Sequence, residues 1–98
     1  MNMNDKVAVV TGAASGIGKQ IAKTYFDHGG RVAIADLNLE QAQAVAREFD
    51  PSGARVMAVA MDVTNEEQVD AGIAAVVAKF GGVDVLVSNA GIQIVAPV

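Results

Sequence analysis

Four apolar residues, Val7 to Val10, run straight into Thr11-Gly12-Ala13-Ala14-Ser15-Gly16-Ile17-Gly18, and a helical pattern begins as that stretch ends. No other feature restricts the fold as much. Glycines at positions 12, 16 and 18 let the backbone turn sharply out of a strand and approach a ligand without a Cβ in the way. A helix starting there points its free N–H groups and the positive end of its dipole at whatever occupies the turn. The stretch therefore reads as an anion cradle, with phosphate the natural occupant.

Two phosphate-binding patterns fail on spacing. A nucleoside-triphosphate loop needs four residues between its glycines and a Ser or Thr after the lysine. Here five residues separate Gly12 from Gly18, and Gln20 follows Lys19. The Gly-x-Gly-x-x-Gly form needs a glycine where Ile21 stands. What remains is Thr-Gly-x-x-x-Gly-Ile-Gly.

The residues downstream give that turn a setting. The chain is 98 residues long, 52% hydrophobic and only 4% aromatic, so its core is built from small aliphatic side chains, as in parallel sheets covered by helices on both faces. Val7 to Thr11 reads as a central strand. Ile17, Ile21, Ala22, Tyr25 and Phe26 recur with helical spacing, and Gly29-Gly30 ends that helix. A second strand, Arg31 to Asp36, carries its acid at the carboxyl end. Asn38, with Gln41 three residues on, opens a helix striped by Leu39, Ala42, Val45, Ala46 and Phe49. Asp50-Pro51-Ser52-Gly53 breaks it. A third strand spans Arg55 to Met61 and leads into Asp62-Val63. Thr64 with Glu67 makes a second capping box for a helix striped by Val69, Ile73, Val76, Val77 and Phe80, which closes at Gly81-Gly82. Val83 to Ser88 is the fourth strand. The predicted fold class is α/β: half of a doubly wound Rossmann fold, a parallel sheet of order 3-2-1-4 in one domain over residues 1–98. In that order the ligand site lies at the carboxyl ends of strands one and four, beside Gly12 and Asn89.

Asp36 lies eighteen residues beyond Gly18, the spacing at which a dinucleotide site places an acid to accept from the adenosine ribose hydroxyls; the alternative is a solvated turn acid. Together with Asn89-Ala90-Gly91 after strand four, the glycine turn resembles the short-chain dehydrogenase/reductase family, which carries both motifs. The resemblance spans essentially the whole chain but only the amino-terminal part of the family's domain. It implies NAD as cofactor, held by Gly12, Ser15, Gly16, Ile17, Gly18, Asp36, Leu37, Asp62, Val63, Asn89, Ala90 and Gly91. Ser15 and Leu37 stand where NADP-preferring members carry a basic residue, and Asp36 would repel a 2′-phosphate. Asp62-Val63 resembles the pair that contacts the adenine, although on spacing alone Asp62 is equally a helix-flanking acid. Asn89-Ala90-Gly91 has an ordinary turn as its alternative.

The tail from Ser88 to Val98 is similar to the 3-hydroxybutyrate dehydrogenase branch. That similarity assigns Gln93 to the substrate carboxylate, and a solvated loop glutamine is the competing reading. The implied reaction is hydride transfer between NAD and a small hydroxy acid or its ketone. Other short-chain reductases and a non-catalytic Rossmann scaffold are the rival readings. The family's catalytic Ser, Tyr and Lys are expected beyond strand four, and so beyond this chain. The one tyrosine, Tyr25, has Gly29 where the family's lysine would stand, and belongs to a helix face. His28 fits the end of the first helix, where a cation suits the dipole; Met57 and Met61 fill core.

A net charge of −4 with scattered basic residues excludes a nucleic-acid surface. The longest apolar runs, Val56 to Met61 and Ile73 to Ala78, are six residues each, too short to span a bilayer. With no cysteine, neither a disulfide nor a thiolate metal site is available, and no metal is expected. That composition suits a cytoplasmic location, and the resemblance implies a homotetramer for the whole protein. With strand four outermost, its free edge predicts self-association.

Overall fold

The computed structural model describes residues 4–88 and, as backbone, the strand 94–97. The elements run β1 (Val7–Thr11), α1 (Gly16–Asp27), β2 (Arg31–Asp36), α2 (Leu39–Phe49), β3 (Val56–Ala60), α3 (Glu66–Phe80), β4 (Val85–Ser88) and β5 (Ile94–Pro97). The sheet order is β3-β2-β1-β4-β5. The first four strands are mutually parallel in the expected 3-2-1-4 order, with Val10 of β1 in register with Ile34 on one side and Val87 on the other.

β1 is buried at all five residues because the sheet is covered on both faces. Alternate residues serve opposite layers. Val10, Val32, Ile34, Val56 and Val87 pack with Ala22 of α1 and Ala42, Val45 and Ala46 of α2. Val7, Val9, Ala33, Ala35 and Val59 pack with Val76 and Phe80 of α3. Burying each such aliphatic side chain contributes roughly 1.5–3 kcal/mol, and alanines let the helices sit close to the strands.

The structure corrects the sequence expectations in several places. β4 is not an edge: β5 pairs with it antiparallel, Leu86 opposite Ala96, so the edge that predicted self-association is covered. β3 and β4 are shorter than expected at Val56–Ala60 and Val85–Ser88. α3 begins one residue later than the Thr64–Glu67 box implies. Its cap is Asn65, whose side chain accepts from the Gln68 N–H at 3.2 Å. The Thr64 amide and hydroxyl instead donate to Asp62 Oδ1, at 2.9 and 2.6 Å, so that side chain is turned toward Asp62. Ile17 is 63% exposed rather than packed. The residues of α1 that are buried are Gly18 and Ala22, and one step along a helix rotates Ile17 about 100° off their line. Leu39 and Val77 are likewise exposed, on turns whose inward positions are held by Ala42 and by Val76.

The end of α1 farther from the turn is fixed by a residue the sequence did not single out. Arg55, just before β3, donates from its guanidinium to the Phe26 and Gly30 carbonyls at 2.6 and 2.9 Å and lies 4.2 Å from the Phe26 ring centre. His28 is structural, as expected: its Nδ1 lies 2.8 Å from the Thr24 carbonyl, an arrangement that requires the proton on that nitrogen.

Candidate functional site

Where β1 ends, Thr11 is buried and its hydroxyl donates to the Val87 carbonyl at 3.3 Å, tying the carboxyl ends of β1 and β4 together. Gly12 then takes a φ of 63°, a left-handed conformation that side-chain-bearing residues rarely adopt, and the chain leaves the sheet. The next two amides fasten the turn to β2: Ala13 N–H donates to the Ala35 carbonyl at 3.3 Å, and Ala14 N–H to Asp36 Oδ2 at 3.2 Å.

Ser15 is extended, with φ −159°, and occupies the cap position of α1, but its side chain makes no capping bond. Gly16 follows with φ 61°. A Cβ at Gly16 would meet no atom within 4 Å, so the backbone angle, not crowding, requires glycine there. The first amide to bond back is Lys19 N–H, to the Ser15 carbonyl. Among the described residues, the amides of Gly16, Ile17 and Gly18 have no acceptor, and the first turn of α1 holds no acid. That end of the helix presents free donors and an uncompensated positive dipole, which suits an anion.

Across from it, Asp36 at the end of β2 is half-buried, its Oδ1 accepting from Asn38 N–H at 3.1 Å. Its main-chain carbonyl accepts from Met61 N–H, which draws the end of β3 alongside. Asp62 follows. The Thr64 hydroxyl, and then the Thr64 amide, hold the Asp62 carboxyl below its ordinary range. Both of those bonds go to Oδ1 and neither to Oδ2.

Gly12, Asp36, Leu37, Met61, Asp62, Val63 and Thr64 line one cleft of about 270 Å³. Five predicted residues, Gly12, Asp36, Leu37, Asp62 and Val63, thus meet in a single hollow. Its lining combines two carboxylates, Asp36 and Asp62, with the apolar side chains of Leu37, Met61 and Val63, a chemistry suited to a heteroaromatic ring joined to a polyhydroxylated sugar. Ser15, Gly16, Ile17 and Gly18 stand outside that lining, at the opening of α1. Asn89, Ala90, Gly91 and Gln93 lie outside the described residues. Sequence reasoning missed Ala14 and Thr64, which set the orientation of the two carboxylates. The Asp62-Val63-Thr64 triplet carries the signal for the second, since Asp commonly bonds to the backbone two residues on. Among the described residues no cluster of His, Asp or Glu could hold a metal ion, and no helix is long and apolar enough to cross a membrane.

The family model described as short chain dehydrogenase matches residues 6–98. Sorbitol dehydrogenase of Cereibacter sphaeroides is 42% identical over the whole chain, and galactitol 2-dehydrogenase of Agrobacterium fabrum 43%. The chain spans 37% of the length of each of these relatives. Among solved structures, a hydroxysteroid dehydrogenase from Escherichia coli superposes with a TM-score of 0.83 at 36% identity, over 89% of this chain and 36% of that one.

Proposed function

The chain belongs to the short-chain dehydrogenases, and from that premise we propose that residues 1–98 form the cofactor-binding unit of an NAD-dependent oxidoreductase acting on a small secondary alcohol. The observation that carries the reading is the juxtaposition of the open amides of α1 with Asp36 across the turn. The pyrophosphate is assigned to Gly12, Ser15, Gly16, Ile17 and Gly18, where free N–H groups and the helix dipole favour negative charge. The adenosine ribose is assigned to Asp36, with Leu37 against it. The adenine is assigned to Asp62 and Val63, with Asp62 Oδ2 accepting from its exocyclic amine. The nicotinamide end passes Asn89, Ala90 and Gly91.

Bound NAD supplies the hydride acceptor. This chain's residues bind and orient it, and the Asp36 carboxylate excludes a 2′-phosphate by charge, so NAD is favoured over NADP. The cysteine-free composition supports a cytoplasmic location, and the family resemblance supports a homotetrameric state for the whole protein.

For the substrate, the polyol relatives support a polyhydroxylated secondary alcohol. The similarity of the tail through Gln93 supports 3-hydroxybutyrate instead. Titrating the chain with NAD and with NADP tests the cofactor assignment: NAD binding at least about tenfold tighter is expected from one unfavourable charge pair, and equal affinity contradicts it. Assaying the whole protein for NAD reduction with sorbitol, galactitol and 3-hydroxybutyrate decides the substrate.

A further inference from the structure

The carboxylate of Asp36 has more to do than meet a ribose. Its two oxygens already accept from two amides far apart in the chain: Oδ2 from Ala14 in the glycine turn, and Oδ1 from Asn38, the residue that caps α2 by accepting from Gln41 N–H at 3.1 Å. The side chain thereby bridges the turn and the start of α2. Its place in the turn is decisive. Ala13 is fully buried and bonded to Ala35, so the backbone is fixed up to that point. Beyond Ala14 come an extended Ser15, whose carbonyl accepts from Lys19 N–H, and a left-handed Gly16, and among the described residues no backbone N–H after Ala14 donates again before Lys19. The Ala14–Asp36 bond is the last one donated by a backbone N–H before the three open amides, and it is what ties the turn ahead of α1 to β2.

We infer that Asp36 is a positioning residue for the anion cradle itself, clamping Ala14 so that the amides of Gly16, Ile17 and Gly18 keep their aim. The inference rests on the dinucleotide reading only for what the cradle holds. An ionised carboxylate accepts and never donates, and each oxygen has two lone pairs. Asp36 can therefore hold both amides and still accept from sugar hydroxyls. Asparagine cannot, since its amide nitrogen would face one of the two N–H donors. A consequence follows for cofactor preference: exchanging Asp36 to admit a 2′-phosphate also loosens the cradle, and weakens binding of ligands that have no adenosine at all.

The test uses inorganic pyrophosphate, which lacks sugar and base, with the ¹⁵N-labelled chain and its Asp36→Ala variant, which removes both acceptors. In the variant, Ala14 amide exchange should accelerate at least about tenfold, the scale of a hydrogen bond to a charged group. The Val76 amide in α3 should stay as protected as before, showing the fold intact. Pyrophosphate affinity should fall several-fold. In the unsubstituted chain the Ala14 amide should already exchange more slowly than the open amides of Gly16 and Ile17, a comparison that needs no variant to fold. If NAD binding weakens while pyrophosphate affinity and Ala14 exchange stay unchanged, Asp36 serves the ribose alone and the inference falls. If neither NAD nor pyrophosphate binds the unsubstituted chain, the dinucleotide reading fails, and the Ala14 amide still decides the clamp.

Discussion

The three helices begin in two different ways. α2 and α3 are each capped by an asparagine whose side chain accepts from the amide three residues on, and each carries acid in its first turn, Glu40 in one and Glu66 with Glu67 in the other. α1 begins with a serine that caps nothing, a left-handed glycine and no acid. Both kinds of start belong to one sheet and one chain, so the difference is not a matter of general helix stability. α2 and α3 supply their own acceptors; α1, which faces the switch point of the sheet, supplies none, and the proposed phosphate site rests on that difference. The contrast assigns the cost as well: the uncapped start forgoes about 1 kcal/mol that a capping side chain contributes.

Giving α1 the start that its neighbours have is the strongest way to break this contrast. Ser15→Asp places an acceptor and a negative charge at the cap. NAD affinity should drop at least about tenfold as the carboxylate competes with phosphate for the same amides, while thermal stability rises by a fraction of a kcal/mol; calorimetric titration and thermal melting read the two effects. A variant that gains stability and binds NAD unchanged would mean that the open amides are not the phosphate site. The reverse change sharpens the contrast from the other side. Asn65→Ala removes the cap of α3 and should lower unfolding free energy by about 1 kcal/mol in urea, with NAD affinity unaltered.

A smaller effect concerns Asp62. Because its carboxyl titrates below the ordinary 3.8, the stability it contributes is present above that value and is lost as pH falls through the lower folded value. Thr64→Val removes the hydroxyl that is the main cause, so the Asp62 titration should move up toward 3.8, as followed by carboxyl ¹³C shifts. A titration that does not move would assign the lowering to the Thr64 amide alone. Asp50, held low by the Ser52 hydroxyl and then the Arg55 amide, is far from the site and should be untouched by that exchange.

Much of the fold was legible because it depends on local patterns. Continuous apolar runs mark strands buried on both faces, and glycine pairs mark helix ends, so the parallel order followed from crossover geometry. Asp36 was legible through its distance from the glycines. What escaped the sequence is what two segments decide together. Thr64 and Asn65 are both able to cap α3; Asn65 does so, while the Thr64 side chain is turned to Asp62. Ile17 looks like a member of the helix stripe until Gly18 and Ala22 are seen to face the strands. The antiparallel return of β5 is a pairing, and nothing in an apolar tail ending in Pro97-Val98 announces it. The bond from Ala14 to Asp36 is of the same kind, joining a turn to a strand end 22 residues away.

The central claim is that the open start of α1 is reserved for the phosphates of a dinucleotide whose adenosine lies against Asp36 and Asp62. Following the amide resonances of the ¹⁵N-labelled chain while NAD is added tests it most directly. The account predicts saturable shifts at Gly16, Ile17 and Gly18 and around Asp36 and Val63, with Gln41 and Gln68, at the capped starts of α2 and α3, shifting less. Shifts confined to other surfaces, or none at the amides of Gly16 to Gly18 at saturating NAD, would contradict it.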